Sequence, residues 1–209
     1  MKQAVLISIQ PYYVFLIIAR LMGWDIPQEK TIEVRKDFPK YSDWNKKTLI
    51  YCSKNRKSFK QIPEQYQPFM AKLMGKVIGE FVCDKIYNIP FMCSWDLRDY
   101  DYSEIFKDND KDNYFSFSCT GLLESEIFDY GKGKDLYGLH ISDLKIYDKP
   151  KELGELRIKV NATDKRCLGV GVEGYWQAQG YDDREETHCL IPLTRPPQSW
   201  CYVEVNYDR

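Results

Sequence analysis

Lys30, Thr31, Glu33 and Arg35 stand within six residues and bring together groups that suit recognition of a nucleotide. Lysine and arginine can hold a phosphate or the carbonyl of a base, the arginine through a rigid planar fork. The carboxylate between them accepts hydrogen bonds, and an exocyclic amino group of a base is a natural donor to it. A simpler role for Glu33 is to pair with Lys30 or Arg35 and orient that side chain, and the two roles are compatible. Lys30 could act as a base only if burial or neighbouring cations depressed its pKa. A carboxylate close by works in the opposite direction, which favours binding over catalysis. Ser8 and Gln10 lie where a strand runs into a helix. The Gln10 amide could meet a ligand at the helix N-terminus, where an anion is favoured, or it could cap its own helix. Trp44 and Trp200 offer indole faces for stacking on a base, and Trp44 has the more polar neighbours; core packing is the alternative for Trp200. Lys54 adds a cation from the same stretch of chain.

Other chemistries find no support. The chain has no Gly-rich phosphate loop, no H-E-x-x-H and no G-x-S-x-G. Residues Asp108 to Asp112 resemble a calcium loop but lack the glycine and the distal glutamate in register. The seven cysteines (52, 83, 93, 119, 167, 189 and 201) are odd in number and irregularly spaced, and no Cys-x-x-Cys occurs. Reduced thiols and a cytoplasmic location are expected. Cys167, His188 and Cys189 would need a fourth ligand from elsewhere, so neither a metal nor a cofactor is expected. His140 sits in an alternating segment and reads as a structural histidine.

These groups must be carried by a folded scaffold. In 209 residues, 44% are apolar and 15% aromatic, and the formal charge is −1, which excludes a disordered chain. Tyr12 to Ala19 is the longest apolar run and is too short to span a membrane, and Met1–Gln10 reads as a strand rather than a leader. The near-neutral total hides a dipole. Residues 30–60 hold ten basic residues against three acids, and residues 95–129 hold ten acids against three basic residues. The basic block, with Tyr41, Trp44, Tyr51 and Phe59 among its cations, suits phosphate contact and stacking on unpaired bases, or is a solvated surface. The acidic block could repel nucleic acid, contact a basic protein or form a solvated loop.

Strands are expected at Ala4–Ile9, Thr31–Arg35, Thr48–Cys52, Gly75–Ile86, Tyr137–Tyr147 and Ser199–Val205. In Thr31–Arg35, Ile32 and Val34 face one side while Thr31, Glu33 and Arg35 face the other. The glycines of Gly75–Ile86 suggest a bend or bulge. Helices are expected from Tyr12 to Met22, with Pro11 in the first turn and Gly23 as the stop, at Ile62–Met74 and at Glu124–Tyr130. Trp95 to Asp112 lacks periodicity and reads as an exposed insertion, and Asn161–Glu186 as a polar, Gly-rich loop. The fold class expected is α+β: a small β-barrel, or a strongly bent sheet, with flanking helices and an irregular acidic insertion at about 93–117. The expected organisation is a barrel domain over 1–150, an irregular loop or small subdomain over 151–195, and a closing strand over 196–209.

Three tracts together carry a resemblance: Ser8-Ile9-Gln10-Pro11, Lys30-Thr31-Ile32-Glu33-Val34-Arg35, and Gly75-Lys76-Val77-Ile78-Gly79-Glu80-Phe81. Their order resembles the ASCH domain of the PUA-like superfamily of small β-barrels, whose most diagnostic motif is K-T-x-E-x-R. More narrowly the chain resembles ASCH-like proteins of Firmicutes phages and prophages, on GKVIGEFVCD, HISDLKIYDKP and TRPPQSWCYVE. The resemblance implies a cleft beside the Lys30–Arg35 strand that takes RNA, single-stranded nucleic acid or a modified nucleotide. Some relatives are amidohydrolases that deacylate modified cytidine with a lysine, a threonine and a glutamate. Lys30 matches that lysine. The family threonine falls where this chain has Glu33, Thr31 is the nearest substitute, and Glu124 or Glu126 lies in the region of the partner glutamate. A further reading is a phage protein that inhibits a host defence or regulatory factor through the acidic insertion.

Overall fold

The computed structural model describes residues 2–26, 28–37, 47–89, 117–161 and 188–205. The opening apolar run forms β1 (Lys2–Ile9), and Gln10 leads directly into α1 (Pro11–Ile18). Proline suits a first helical turn because its missing N–H would have no partner there. Every residue from Val14 to Ile18 is buried, so α1 is not a surface helix with one wet face.

Two sheets account for the described strands. In the larger, β1 lies at the centre, parallel to β3 (Lys47–Cys52) and antiparallel to β10 (Trp200–Val205). Beyond β3 come β4 (Lys76–Val82) and β7 (Ser142–Glu152); beyond β10 come β8 (Arg157–Asn161) and β9 (His188–Pro192). The smaller sheet has three antiparallel strands in the order β2 (Ile32–Arg35), β6 (Leu136–His140), β5 (Ile86–Ile89). The expected barrel is therefore not closed among the described strands; β7 and β9 end the large sheet.

Strand alternation sorts the core. Val5, Ile7 and Ile9 of β1 join α1, Ile50, Ile78 and Phe81 in the largest buried cluster, while Ala4 and Leu6 join Leu49, Val77, Leu156 and Val203 on the other face. A third cluster couples Ile32 and Val34 of β2 to Ile89, Leu136 and Ile127, the last from α4 (Glu124–Gly131). Each such side chain contributes about 1.5–3 kcal/mol when fully buried.

Four departures from the sequence reading have local causes. Gly75–Ile86 is two strands, because Cys83–Asp84–Lys85 carries the chain from the large sheet to the small one. The expected irregularity is present: the β4–β7 register shifts on either side of Gly79, where a Cβ would stand 2.3 Å from the Lys145 carbonyl oxygen. Tyr137–Tyr147 is also two strands, divided at Ile141, and β6 and β7 belong to different sheets. Short α2 (Arg56–Phe59) was not expected, nor were β8 and β9 in the stretch read as a loop or subdomain. Glu64–Tyr66 is a 3-10 turn that leads into α3 (Gln67–Leu73), within the expected helical span.

Cys52 and Cys83 are buried free thiols whose pKa is pushed up to about 12, in each case chiefly by burial, so they are inert. The expectation of reduced thiols throughout is corrected at Cys189, which is disulfide-bonded. No helix among the described residues is long and apolar enough to cross a membrane.

Candidate functional site

β2 has the alternation its sequence demands, but both of its faces are covered: Ile32, Glu33, Val34 and Arg35 are all buried. Ile32 and Val34 join the small sheet's core. Glu33 and Arg35 point into a polar seam between the two sheets. The Arg35 guanidinium donates through Nη2 to the Ser8 carbonyl at the end of β1, 2.8 Å away, and pairs with Glu33 Oε1 at 2.9 Å. Its Nη1 lies 3.5 Å from the Ser199 carbonyl, just before β10. Ser8 N–H itself donates to the Ser199 carbonyl, so β1 and the approach to β10 are already joined where the arginine docks.

Lys30 reaches the same carboxylate from the other side, 3.2 Å from Glu33 Oε2. Its ammonium also donates to the carbonyls of Ile32 and Thr120. Lys30 is 4% exposed and Glu33 and Arg35 are each 6% exposed, so two cations and one carboxylate form a buried triad with a net charge of +1. The loop around Thr120 needs Gly121. That residue has φ +70, and a Cβ there would stand 2.8 Å from Leu16 Cδ1 and 3.5 Å from Lys30 Cδ.

Two atoms of the triad are short of hydrogen-bond partners; among the described residues the buried Ser53 hydroxyl, elsewhere in the fold, is a third. Glu33 Oε2 has only the Lys30 ammonium beside it, at 3.2 Å, and Arg35 Nε donates no hydrogen bond; both atoms are buried. Burial lowers the Lys30 pKa; Glu33 opposes that shift and Arg35 adds to it. Two tyrosines lie within electrostatic reach of the triad. The Lys30 ammonium is 5.4 Å from the centre of the Tyr13 ring, and the Tyr13 hydroxyl is pushed up to about 12 by burial, then by Glu126 and Glu33. Tyr130, 38% exposed, is also raised, first by burial and then by Glu33 and Asp37, against the lowering effect of Arg35. The Lys36 ammonium stands 5.0 Å over its ring.

The structure thus brings Ser8, Lys30, Glu33 and Arg35 together. Thr31 adjoins them through its backbone: its N–H donates to the Cys119 carbonyl, and its own carbonyl accepts from Ile141. Gln10 is exposed at the N-cap position of α1, and its side chain makes no capping bond. Trp200 is committed, its indole N–H donating to Asp37 at 3.1 Å while its ring meets Tyr202 edge-on. Lys54 is set apart from the triad, after β3, where its stem packs over Gly75. Glu124 opens α4, and its side chain lies outside the described residues. Glu126 caps the same helix by accepting the Leu123 N–H at 2.8 Å. Trp44 and the acidic insertion lie outside the described residues. The charges on the face of β2 opposite Ile32 and Val34 stand inside, because β1, the approach to β10 and the Thr120 loop cover them.

Tyr13, Tyr130 and Asp37 were not singled out from the sequence. Only the position of Tyr13 in the first turn of the helix that follows Gln10 could have pointed to it. His140 is tied to Asp84 at 2.7 Å, which fits a structural role. Burial would raise the Asp84 carboxyl, but the His140 partner holds it below its usual value.

No family model and no curated protein matches the chain. Among solved structures it is similar to the ASCH protein of Zymomonas mobilis, with 15% identity over 96% of this chain and 87% of that one, at a TM-score of 0.47. Two single-substitution variants of that protein are similar at 14% identity (96% and 88% covered, TM-score 0.47) and 17% identity (73% and 77% covered, TM-score 0.42). These structures carry the family name that the Lys30–Arg35 motif suggested, and at such identities no residue role is transferred from them.

Proposed function

We propose that the chain is a nucleotide- or nucleic-acid-binding protein of the ASCH class, and that the Lys30–Glu33–Arg35 triad receives the edge of a base. One observation carries this reading: a buried guanidinium N–H without an acceptor stands in the same ion triad as a buried carboxylate oxygen whose one polar neighbour is the Lys30 ammonium at 3.2 Å. Buried polar groups are nearly always paired, and an unpaired one costs about 1–3 kcal/mol. An exocyclic amino group would satisfy Glu33 Oε2, and a ring nitrogen or carbonyl would satisfy Arg35 Nε. A base edge supplies both. A phosphate fits the triad poorly, because the carboxylate at its centre repels it. Access requires a side chain to move aside, and the half-exposed Tyr130 is the candidate cover.

Two measurements test the reading: mass spectrometry of small molecules that copurify with the protein, and thermal shift with cytidine, adenosine and uridine monophosphates. A ligand at one hundred times its Kd stabilises the folded state by about 2.7 kcal/mol, a rise of several degrees in Tm. A flat thermal shift with every nucleotide, together with a clean copurification spectrum, rejects the assignment.

A second reading, amidohydrolysis of an acylated cytidine, is favoured by the lowered Lys30 pKa, since a depressed lysine can serve as a base. Incubation with N4-acetylcytidine would then release cytidine. Chromatography that shows no cytidine at high protein concentration removes this reading and leaves the binding reading untouched.

A further inference from the structure

Residues 53–62 contain Lys54, Arg56, Lys57 and Lys60 and no acid. All four cations are exposed, and none forms an ion pair with a described residue. Solvated lysines are common on protein surfaces, but these are held in a fixed array. Asn55 caps α2 by accepting the N–H groups of Lys57 and Ser58, at 3.0 and 3.1 Å. Ser58 is buried and its hydroxyl accepts the Tyr12 N–H at 3.1 Å, which pins α2 onto the first turn of α1. Partly buried Phe59 and Tyr12 lie along the same junction. The junction continues inward: the Tyr12 and Tyr13 rings meet edge-on at 5.7 Å, and Tyr13 stands over the Lys30 ammonium. A series of contacts therefore runs from α2, through Ser58 and the partly buried Tyr12 and Tyr13, to the triad.

We propose that Lys54, Arg56, Lys57 and Lys60 form a phosphodiester track for a single-stranded nucleic acid, so that the partner is a polymer and not a free nucleotide. This deepens the reading of the triad as a base receiver and rests on it. The triad carries only one net positive charge and buries it. Backbone contact must come from elsewhere, and this array supplies charges without competing acids. Aromatic rings beside it suit unpaired bases, whose faces stack regardless of sequence.

The experiment compares wild type with Arg56→Gln/Lys57→Gln/Lys60→Gln. Fluorescence anisotropy follows binding of a labelled mixed-sequence oligoribonucleotide of about a dozen nucleotides, within the range of single-strand sites. Losing three phosphate contacts should reduce the slope of log K against log salt by about two, since each contributes about 0.7 on a single strand. Wild-type affinity would then fall roughly 15- to 20-fold more than the variant's between about 50 and 200 mM salt. The three side chains are exposed, so the variant's Tm should match wild type. A reduced slope with mononucleotide thermal shifts unchanged supports the track. An unchanged slope overturns it, as does an oligomer that binds no better than a mononucleotide. The mononucleotide shift reads the triad independently, so a failure there is distinguishable from a failure of the track.

Discussion

Glu33→Ala is expected to lower the unfolding free energy by about 3–5 kcal/mol, the usual cost of removing one partner from a buried charge cluster. Glu33 is the sole anion of the triad, and its two oxygens face different cations, Arg35 at Oε1 and Lys30 at Oε2. Without it, two positive groups that are 4% and 6% exposed would repel each other in a seam with little water. They could not swing out easily, because Arg35 is anchored on Ser8 and Lys30 on Ile32 and Thr120. The check is a denaturant titration, read as a shift of midpoint at constant slope. A companion variant separates charge from packing. Lys30→Met/Glu33→Leu/Arg35→Met removes all three charges together and should recover much of the loss, since apolar replacements of whole buried ion clusters are often tolerated. Recovery stays incomplete, because each backbone carbonyl that loses its donor costs about 1 kcal/mol. Nucleotide binding should be absent in both. An unchanged midpoint for Glu33→Ala would show that the triad is hydrated, and the reading of its unpaired atoms would fail with it.

Residue types at the site were legible because chemistry is local. Lys30, Glu33 and Arg35 are close in sequence, and alternation placed Glu33 and Arg35 on one face of a strand. Their burial was not legible. It depends on Ser8 and Ser199, 27 and 164 positions from Arg35, and on Thr120, 90 positions from Lys30. A strand whose polar face is covered has the same sequence as one whose polar face is wet. The same limit explains the two long strands that proved to be four. The breaks in alternation are slight, a pair of polar residues at Ser142–Asp143 and another at Asp84–Lys85, and a paired polar step is as common within a bent strand as between two strands. The punctuation is conformational: Asp143 adopts φ +46 just after the division at Ile141. Strands that pack on a core by composition, such as β1, β3 and β10, were found; β8, where Arg157 and Lys159 alternate with Ile158 and Val160, was lost among charges. α2 escaped because four residues carry no period, although the Asn55 cap was a readable start signal.

Arg35→Lys should be nearly as damaging to binding as loss of the whole triad, although it preserves every charge. An account based on net positive potential alone predicts little effect. The geometry predicts otherwise, because one planar guanidinium serves Glu33 Oε1 and the Ser8 carbonyl through Nη2, approaches Ser199 through Nη1 and keeps Nε for the guest. A lysine ammonium offers three donors from a single point and cannot span these positions. If it keeps Glu33, it releases the end of β1; if it keeps Ser8, Glu33 turns toward Lys30. Either way the free Arg35 Nε–H is gone, and with it half of the proposed base-edge pattern. A hydrogen bond to a charged group contributes about 1.5–3 kcal/mol, so nucleotide affinity should fall roughly 10- to 150-fold. Stability should fall by about 1–3 kcal/mol as a buried carbonyl loses its donor. Isothermal titration with the nucleotide that gives the largest thermal shift reads the first effect, and denaturant unfolding the second. Affinity within twofold of wild type would mean that Arg35 is a latch between the sheets and nothing more. The guest would then have to be sought at the α2 cations, whose exposure needs no movement of Tyr130.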